Sequence, residues 1–521
     1  MEKKAKKESS IIETLQSLIV AFVLAMVFRG FVVEGFVIPT GSMAPTLLGQ
    51  HLLKHSDQTG QDFAVGFDPG NSYSPESIAD PLLGRNIKLS MSEAKKKEKR
   101  GGDHVLVLKT LYPFFGPKRF DVVVFKNPTD TQGTSSNYIK RLIGLPNETL
   151  WIADGDIFVR KDNEPESVFK IQRKPEHIQQ SLWRKVSDSD AIPTDTLALS
   201  RPWRGPPWIG SPVGTWKLND RTWVCSTASP STLTWDNNRI LIDDWLPYNM
   251  LSRNRPNQPL SDVRVSATLT PDDESLNASF SLEAVQHRFV WMIYSGKAVL
   301  SMSTLGGEVI KKVEVDVDVL HKNVSGARQP IRLECWHVDQ MMVLYLNGAR
   351  VAELLYEFSP EERIRLASNA DPSVPVEEIA GSGGKPPSMQ WQFDGSPLKI
   401  TKLQVDHDLY YNYEHKGLPL RATNNPTKEG NEELVRIGSR AFGTHPDKLA
   451  VLGKDQFMMA GDNSAYSLDG RLWGNPDEFV SAQIDDSPFV VHRDLLIGKA
   501  WGVYWLPPPM IPEFNRFRFI R

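Results

Sequence analysis

The chain has 521 residues and a mass of 58.6 kDa. Because a single domain with one hydrophobic core is usually smaller than this, at least two folded domains are expected. Its hydrophobic content of 40% and charged content of 24% are ordinary globular values, which exclude wholesale disorder and a multi-span membrane protein. The net charge of -3 gives no basic surface for phosphates, which argues against nucleic acid as a partner, and two cysteines are too few for a disulfide scaffold.

The N-terminal residues 1–30 predict a basic cytoplasmic tail and a transmembrane anchor. Four lysines within the first seven residues precede an apolar stretch from Ile11 to Phe28, and Arg29 closes it. A cleavable signal peptide has a similar pattern, but no small-x-small cleavage site follows in residues 31–36, so we favour an uncleaved, single-pass anchor. The excess of lysines before the helix places the N-terminus in the cytoplasm under the positive-inside rule. The rest of the chain is then expected on the extracytoplasmic side of the cell membrane.

The residues that follow the anchor predict an exposed serine and then an insertion. Residues 31–50 form an extended segment in which Pro39 and Gly41 flank Ser42, so a turn there would present the serine hydroxyl. Residues 51–100 are polar and irregular and end in the basic run Lys95–Arg100, which indicates a surface insertion.

Short apolar runs rich in β-branched residues predict a β-rich body over residues 101–174. The step Asp154-Gly155 between two further apolar runs predicts a tight hairpin turn. The three strands before that hairpin are expected at His104–Leu108, Asp121–Phe125 and Tyr138–Ile143.

Residues 175–415 differ in composition and predict an inserted antiparallel β-sandwich, so that the fold class of the chain is mostly β. Tryptophans and prolines crowd its first part, and alternating strands that end at Ser295-Gly296 and Asn347-Gly348 follow at sandwich-like spacing. The pattern loosely resembles concanavalin-like and laminin-G-like sandwiches, and that resemblance implies carbohydrate as a ligand. Cys225 and Cys335 both lie here, and the sequence leaves open whether they are bridged or free.

The residues that carry chemistry lie in three segments: Ile38-Pro39-Thr40-Gly41-Ser42-Met43-Ala44-Pro45-Thr46-Leu47; Asp121 to Pro128 with Tyr138-Ile139-Lys140-Arg141 and Gly144-Leu145-Pro146; and Gly461-Asp462-Asn463 with Ser467, Asp469 and Arg471. In this order they resemble the conserved motifs of bacterial type I signal peptidases. The resemblance implies one catalytic domain in three pieces, residues 31–50, 101–174 and 416–521.

Ser42 and Lys140 form a chemically sensible pair without the family name. A serine hydroxyl is a weak nucleophile until a base takes its proton, and no histidine of this chain sits in a comparable motif. A lysine can serve as that base only when it is neutral, and burial among apolar residues lowers a lysine pKa. We therefore expect a Ser-Lys dyad, a known variant of the hydrolase constellation, with no metal and no organic cofactor.

The resemblance implies roles for further residues. Thr40 corresponds to a hydroxyl that joins the backbone N–H of Ser42 in an oxyanion hole, and Ser467 to a serine that orients Lys140 by a hydrogen bond. Asp469 and Arg471 correspond to a pair that braces the site, although a purely structural ion pair explains them equally well. The residue between them departs from the pattern, because Gly470 stands where many members have serine.

The function that the resemblance implies is that of a signal peptidase I, which cleaves N-terminal signal peptides from exported preproteins through an acyl-enzyme on Ser42. Its partners would be those signal peptides, with small residues before the cut, and the lipid bilayer. One alternative is a catalytically retired membrane scaffold that displays a carbohydrate-binding sandwich, and the intact dyad argues against it. Another is a self-cleaving repressor-type Ser-Lys protease, and the membrane anchor argues against that.

Overall fold

The computed structural model describes residues 2–66, 77–83, 88–90, 99–130, 136–165, 168–193, 203–250, 257–318, 329–413, 441–505 and 518–521. Antiparallel strands dominate these residues, so the prediction of a mostly β chain with an inserted sandwich is confirmed. Residues 95–98 of the predicted basic run lie outside the described part.

One long helix and several short ones accompany the strands. The helices of the described residues are α1 Glu2–Val27, α2 Leu111–Phe115, α3 Glu176–Leu182, α4 Pro360–Ser368, α5 Val376–Ile379 and α6 Glu478–Gln483. Helix α1 continues into a π-helical turn, Phe28–Val32. The stretch Ile11–Val32 is long and apolar enough to cross a membrane and is not buried against the rest of the fold, as expected for the predicted anchor.

The strands fall into three groups along the chain. The first group comprises β1 Val33–Val37, β2 His51–Ser56, β3 Gln61–Gly66, β4 Ser77–Ala79, β5 Lys88–Ser90, β6 Lys99–Arg100, β7 His104–Leu108, β8 Val122–Lys126, β9 Asn137–Gly144, β10 Glu148–Ala153, β11 Asp156–Lys161 and β12 Lys170–Ile171. The second comprises β13 Arg184–Asp188, β14 Trp208–Ser211, β15 Trp216–Asn219, β16 Thr222–Cys225, β17 Ser231–Trp235, β18 Val263–Pro271, β19 Asn277–Ala284, β20 His287–Tyr294, β21 Lys297–Thr304, β22 Val309–Asp316, β23 Ile331–Val338, β24 Met341–Leu346, β25 Ala349–Leu355, β26 Ser388–Asp394 and β27 Leu398–His407. The third comprises β28 Ala450–Leu452, β29 Gln456–Ala460, β30 Val491–His492, β31 Leu496–Trp505 and β32 Arg518–Phe519.

The first and third groups together build a two-sheet body. Its main sheet has the order β1-β7-β31-β8-β9-β29-β30, with β32 paired to β31, and its second sheet has the order β12-β11-β10-β28. Strand β9 lies between β8 and β29, and Val123 of β8 is the register partner of Lys140. Ile139 to Gly144 of β9 are all buried, so the Lys140 side chain lies inside the body rather than in solvent. The hairpin turn between β10 and β11 forms as predicted, with φ of 48° at Asp154 and 83° at Gly155.

Residues 51–66 differ from the predicted irregular insertion. Strands β2 and β3 form an antiparallel hairpin, and β6 pairs with β2. Leu52, Phe63 and Val65 bury a small apolar cluster against which Met250 packs. Because Met250 comes from a loop of the inserted region, the apolar partner that stabilises this hairpin is invisible in the local sequence.

The second group of strands forms the sandwich. One sheet has the order β15-β16-β27-β18-β23-β24-β25, with β13 on β27, and the other has the order β14-β17-β26-β19-β20-β21-β22. The apolar faces of both sheets share a single core. Cys225 and Cys335 are buried in that core and form no disulfide, which answers the question that the sequence left open.

A buried ionic network joins the sandwich to the body. Lys174, which precedes α3, pairs with Asp339 of the sandwich. Arg363 of α4 contacts Asp154 in the body at 2.9 Å and Asp262 in the sandwich at 3.2 Å. Breaking a buried pair of this kind leaves an uncompensated charge, so the network holds the sandwich in one orientation relative to the body.

Candidate active site

Ser42 lies in a turn that follows β1 and is anchored by Asp103. The carbonyl oxygen of Asp103 accepts a hydrogen bond from the Ile38 amide at 2.9 Å, and its carboxylate accepts one from the Leu48 amide at 2.9 Å. Met43 is completely buried beneath the turn. These contacts fix both ends and the underside of the turn, and Ser42 itself stays half-buried at the surface of the body.

Lys140 reaches this turn from strand β9, and its Nζ donates a hydrogen bond to Ser42 Oγ. The side chain is only 3% exposed. Burial lowers the pKa of Lys140 to about 8, because the ammonium loses its hydration; Asp469 and Asp462 oppose the shift and Arg471 adds to it. The two residues that the sequence paired are therefore in contact, and the lysine is easier to deprotonate than an exposed one.

Asp469 and Arg471 form a fully buried ion pair beside the dyad. Arg471 donates from Nε to Asp469 Oδ1 at 2.9 Å and from Nη2 to Oδ2 at 2.8 Å. Asp469 Oδ2 also accepts a hydrogen bond from the Gly461 amide at 2.8 Å, and Arg471 Nη1 donates to the Asn412 carbonyl at 2.6 Å. Although burial favours protonation, Arg471 holds the pKa of Asp469 below its usual value. The pair is thus a structural brace and also the source of two charges that act on the dyad lysine.

Gly470 departs from the family pattern because there is no room for a side chain. A Cβ at this position would lie 2.9 Å from the carbonyl oxygens of both Met459 and Phe489. Real Cβ atoms do not approach backbone oxygens so closely, and a serine here would push the Asp469–Arg471 turn off strand β29.

Ser467 and Thr40 differ in exposure. Ser467 is completely buried, and its Oγ has no hydrogen-bond partner among the described residues, so the hydrogen bond to Lys140 that the resemblance implies is not formed in this structure. An unpaired buried hydroxyl costs about 1–3 kcal/mol, so the hydroxyl of Ser467 adds no stability through a hydrogen bond in this structure. Thr40 is exposed two residues before Ser42, on the open side of the turn.

Asp462 belongs to the third sequence motif, from which no role for it was inferred, and the structure gives it one. Its carboxylate accepts hydrogen bonds from Arg141 Nε at 2.8 Å, from Arg141 Nη2 at 2.6 Å and from Thr46 Oγ1 at 2.5 Å. Burial favours the protonated form, yet Arg141 holds the pKa of Asp462 below its usual value. The sequence contained a signal for this pair. Arg141 follows Lys140 in the same strand, so the two side chains point to opposite faces of the sheet. If both faces are covered, Arg141 is buried and requires a buried anion as its partner.

Asn463 holds the nucleophile turn from the other side, and sequence reasoning missed it. Its backbone amide donates to the Ser42 carbonyl oxygen at 3.0 Å, and its Nδ2 donates to the Gly41 carbonyl oxygen at 3.0 Å. These two bonds join the third motif directly to the peptide that carries the nucleophile. The three sequence motifs therefore meet in one place, with Ser42 and Lys140 at the centre.

Comparison with known proteins shows that part of the chain is similar to one peptidase family. Residues 88–200 match the model of the family described as signal peptidase, peptidase S26, and this segment contains Lys140. The signal peptidase I of Pseudomonas aeruginosa is 30% identical over 148 residues, which are 28% of this chain and 37% of that protein. The signal peptidase I of Pseudomonas fluorescens is 29% identical over 167 residues, 32% of this chain and 43% of that protein. The chain thus spans well under half the length of these relatives, and the resemblance inferred from the motifs is confirmed.

Solved structures resemble the sandwich only weakly. A carbohydrate-binding module from Bacillus subtilis is 9% identical with a TM-score of 0.23, covering 38% of this chain and 95% of the module. A galectin of Caenorhabditis elegans is 13% identical with a TM-score of 0.19, covering 30% of this chain and 91% of the galectin. TM-scores this low support no conclusion about a ligand, and carbohydrate binding by the sandwich stays a prediction.

Proposed function

We propose that this chain, whose residues 88–200 match the signal peptidase family, is a membrane-bound signal peptidase I that cleaves the signal peptides of exported preproteins with a Ser42–Lys140 dyad. The observation that carries the proposal is the hydrogen bond between Lys140 Nζ and Ser42 Oγ at a buried lysine whose pKa is lowered to about 8. A lysine with that pKa is partly neutral near physiological pH and can act as a general base.

The chemistry follows from these two groups. Neutral Lys140 takes the proton of Ser42 as Oγ attacks the carbonyl carbon of the scissile peptide bond. The C–N bond then breaks, the lysine ammonium gives its proton to the leaving amine, and an ester remains on Ser42. A water molecule deprotonated by the same lysine hydrolyses this acyl-enzyme. The exposed hydroxyl of Thr40 and the Ser42 backbone N–H would stabilise the oxyanion, and each such donor is typically worth about 10²–10³ in kcat.

Ser467 fits a role in the state in which Lys140 carries a proton. Once Lys140 is an ammonium, it needs hydrogen-bond acceptors in a buried site. Ser467 Oγ is buried and has no hydrogen-bond partner in the described part of the chain, so it is available to accept one. We propose that it orients the charged lysine while the acyl-enzyme forms.

The membrane placement rests on the apolar helix. The stretch Ile11–Val32 ends directly before β1, which leads into the Ser42 turn. A helix that spans the membrane would therefore hold the dyad close to the surface where a preprotein emerges. The N-terminus would be cytoplasmic and the catalytic body extracytoplasmic, as the lysines before the helix predict.

The experiment that tests the proposal is cleavage of a preprotein with an Ala-x-Ala site by the full chain in detergent. Ser42→Ala and Lys140→Ala should each lower kcat by at least about a thousandfold, because each removes a group that every turnover needs. Ser229→Ala and Lys399→Ala replace exposed residues of the sandwich and serve as matched controls with wild-type rates. A wild type that does not cut at this site, or dyad variants that cut as well as it does, would overturn the proposal.

A further inference from the structure

A loop of the inserted region reaches the nucleophile turn. The loop joins β17 to β18 and contains the helical turn Pro247–Asn249. The ring of Tyr248 lies against Gly41, so closely that a Cβ on Gly41 would stand 2.1 Å from a ring carbon. The Tyr248 hydroxyl donates to the Gln50 carbonyl oxygen at 3.1 Å. The sandwich thus packs on the residue that directly precedes the nucleophile.

Asn249 of the same turn contacts the side chain of Asn463, the residue whose backbone amide binds the Ser42 carbonyl oxygen. Asn249 Nδ2 donates to Asn463 Oδ1 at 2.7 Å, and Asn463 Nδ2 donates to Asn249 Oδ1 at 2.8 Å. The second hydrogen of Asn463 Nδ2 goes to the Gly41 carbonyl oxygen. Both hydrogens of this amide are then in use, and the reciprocal pair with Asn249 fixes which way the amide of Asn463 faces.

A second contact comes from the start of the sandwich. Arg184 is the first residue of β13, and its Nη2 donates to the backbone carbonyl oxygen of Asp462. Arg184 is buried, and that burial lowers its pKa, so the hydrogen bond to a carbonyl is made at a cost in hydration. Asp462 in turn binds Arg141, the neighbour of the dyad lysine. The inserted region therefore contacts the segment Asp462–Asn463 twice, through Asn249 of the loop and through Arg184 of β13.

We propose that the inserted sandwich is a working part of the peptidase site, in which Asn249 is a positioning residue that acts through Asn463 to hold Ser42 in line with Lys140. Tyr248 and Arg184 support the same segment. Neither Asn249 nor its partners from the sandwich touch the reacting atoms, so their loss should slow turnover without weakening substrate binding. This inference rests on the proposed function for its kinetic consequence, while the positioning itself is a property of the fold.

The kinetic test compares Asn249→Ala, Asn249→Gln and a matched control in the full chain in detergent, with the Ala-x-Ala preprotein as substrate. Asn249→Ala removes both hydrogen bonds of the reciprocal pair with Asn463, and it should lower kcat about tenfold with KM within twofold. The midpoint of its pH profile should stay in place, because Asn249 adds no charge near Lys140. Asn249→Gln keeps the amide and should recover part of the loss. The control Asn277→Ala removes an amide that donates to Asp394 at 2.6 Å inside the sandwich and should leave kcat unchanged.

Hydrogen exchange separates this inference from the proposed function. The backbone amide of Asn463 donates to the Ser42 carbonyl oxygen, so it should exchange about tenfold faster in Asn249→Ala and at the wild-type rate in Asn277→Ala. This measurement does not require catalytic activity. If the wild type fails to cleave the preprotein, the peptidase proposal is wrong, but hydrogen exchange at Asn463 still tests the positioning role of Asn249. If exchange at Asn463 is unchanged in Asn249→Ala, the inference is wrong. If the alanine variant does not fold, Asn249→Asp decides instead, because its carboxylate sets an acceptor against Asn463 Oδ1 and should accelerate the same exchange.

Discussion

Arg141 donates from Nε and Nη2 to the two carboxylate oxygens of Asp462, at 2.8 and 2.6 Å, although 321 positions of sequence separate the two residues. Neither side chain is exposed. The pair joins the strand that carries Lys140 to the segment that holds Ser42, on the two sides of the inserted sandwich. It is therefore a fully buried electrostatic link between the parts of the body that the insertion separates.

Replacement of Asp462 tests that link. Asp462→Asn should lower the free energy of unfolding by about 3–5 kcal/mol, because it leaves Arg141 charged and buried without a carboxylate. Chemical unfolding of the full chain in detergent measures the loss. Asp455→Asn removes an ion pair with Arg493 that is largely exposed, and it should cost no more than about 1 kcal/mol. Equal losses in the two variants would contradict the assigned role.

The pH dependence of turnover should follow Lys140. Since the base must be neutral, kcat should rise with pH and reach half its plateau near pH 8. The Asp469 carboxylate raises the pKa of Lys140, so Asp469→Asn should move the midpoint to lower pH. Asp469→Glu keeps the charge and should leave the midpoint near its wild-type place. A midpoint that moves upward in Asp469→Asn would show that another group controls the profile.

The buried lysine should also cost stability in a pH-dependent way. Lowering its pKa from 10.5 to about 8 corresponds to about 3 kcal/mol. Between these two values the unfolded chain carries a proton that the folded chain lacks, so the free energy of unfolding rises with pH. Lys140→Met lacks this contribution, and it should be more stable than wild type at pH 7 by up to about 3 kcal/mol. Unfolding curves collected from pH 7 to 10.5 should show the advantage shrinking, and parallel curves would rule the explanation out.

Ser467 should separate stability from turnover. Its hydroxyl is buried and has no hydrogen-bond partner among the described residues, so Ser467→Ala should leave the free energy of unfolding unchanged or raise it by about 1 kcal/mol. If the hydroxyl orients the charged Lys140, kcat should nevertheless fall at least about tenfold. Ser464→Ala is the matched control, because Ser464 Oγ accepts a hydrogen bond from Arg471 at 2.7 Å and its loss should destabilise the fold. Unchanged kcat in Ser467→Ala would remove the proposed role.

Local pattern was sufficient to place most strands, because their signals are short in range. The run His104–Leu108 matches β7 residue for residue, and the turn Asp154-Gly155 needed only its own two residues to be recognised. The pairing of Ser42 with Lys140 could be anticipated from the resemblance of the motifs, and it is chemically sensible because a serine nucleophile requires a base. The positioning role proposed for Asn249 could not be anticipated, since it depends on a hydrogen-bond partner, Asn463, that follows the sandwich in the sequence.

The packing of the hairpin β2–β3 also could not be predicted from its local sequence. The cluster around Phe63 buries Leu52, Val65 and Ile78, and Met250 of the inserted region packs against it. A charged residue such as Lys54, buried in this hairpin, also contradicts what composition alone predicts. Strands whose apolar partners are distant in the sequence therefore cannot be predicted from a local sequence pattern.

The order of strands in the main sheet also determines when a newly made chain can complete the Ser42 turn. Ser42, Lys140 and the whole sandwich are synthesised before any of β28 to β31, yet β31 fills the gap between β7 and β8, and β29 covers the open edge of β9. A ribosome-bound chain that ends at residue 413 therefore carries both dyad residues but lacks Asp462 and Asn463. Domains tend to fold in the order of their synthesis, so the sandwich is ready as a template before the final strands emerge. The Ser42 turn therefore gains its contacts with Asn463 only after the chain beyond the sandwich has been made.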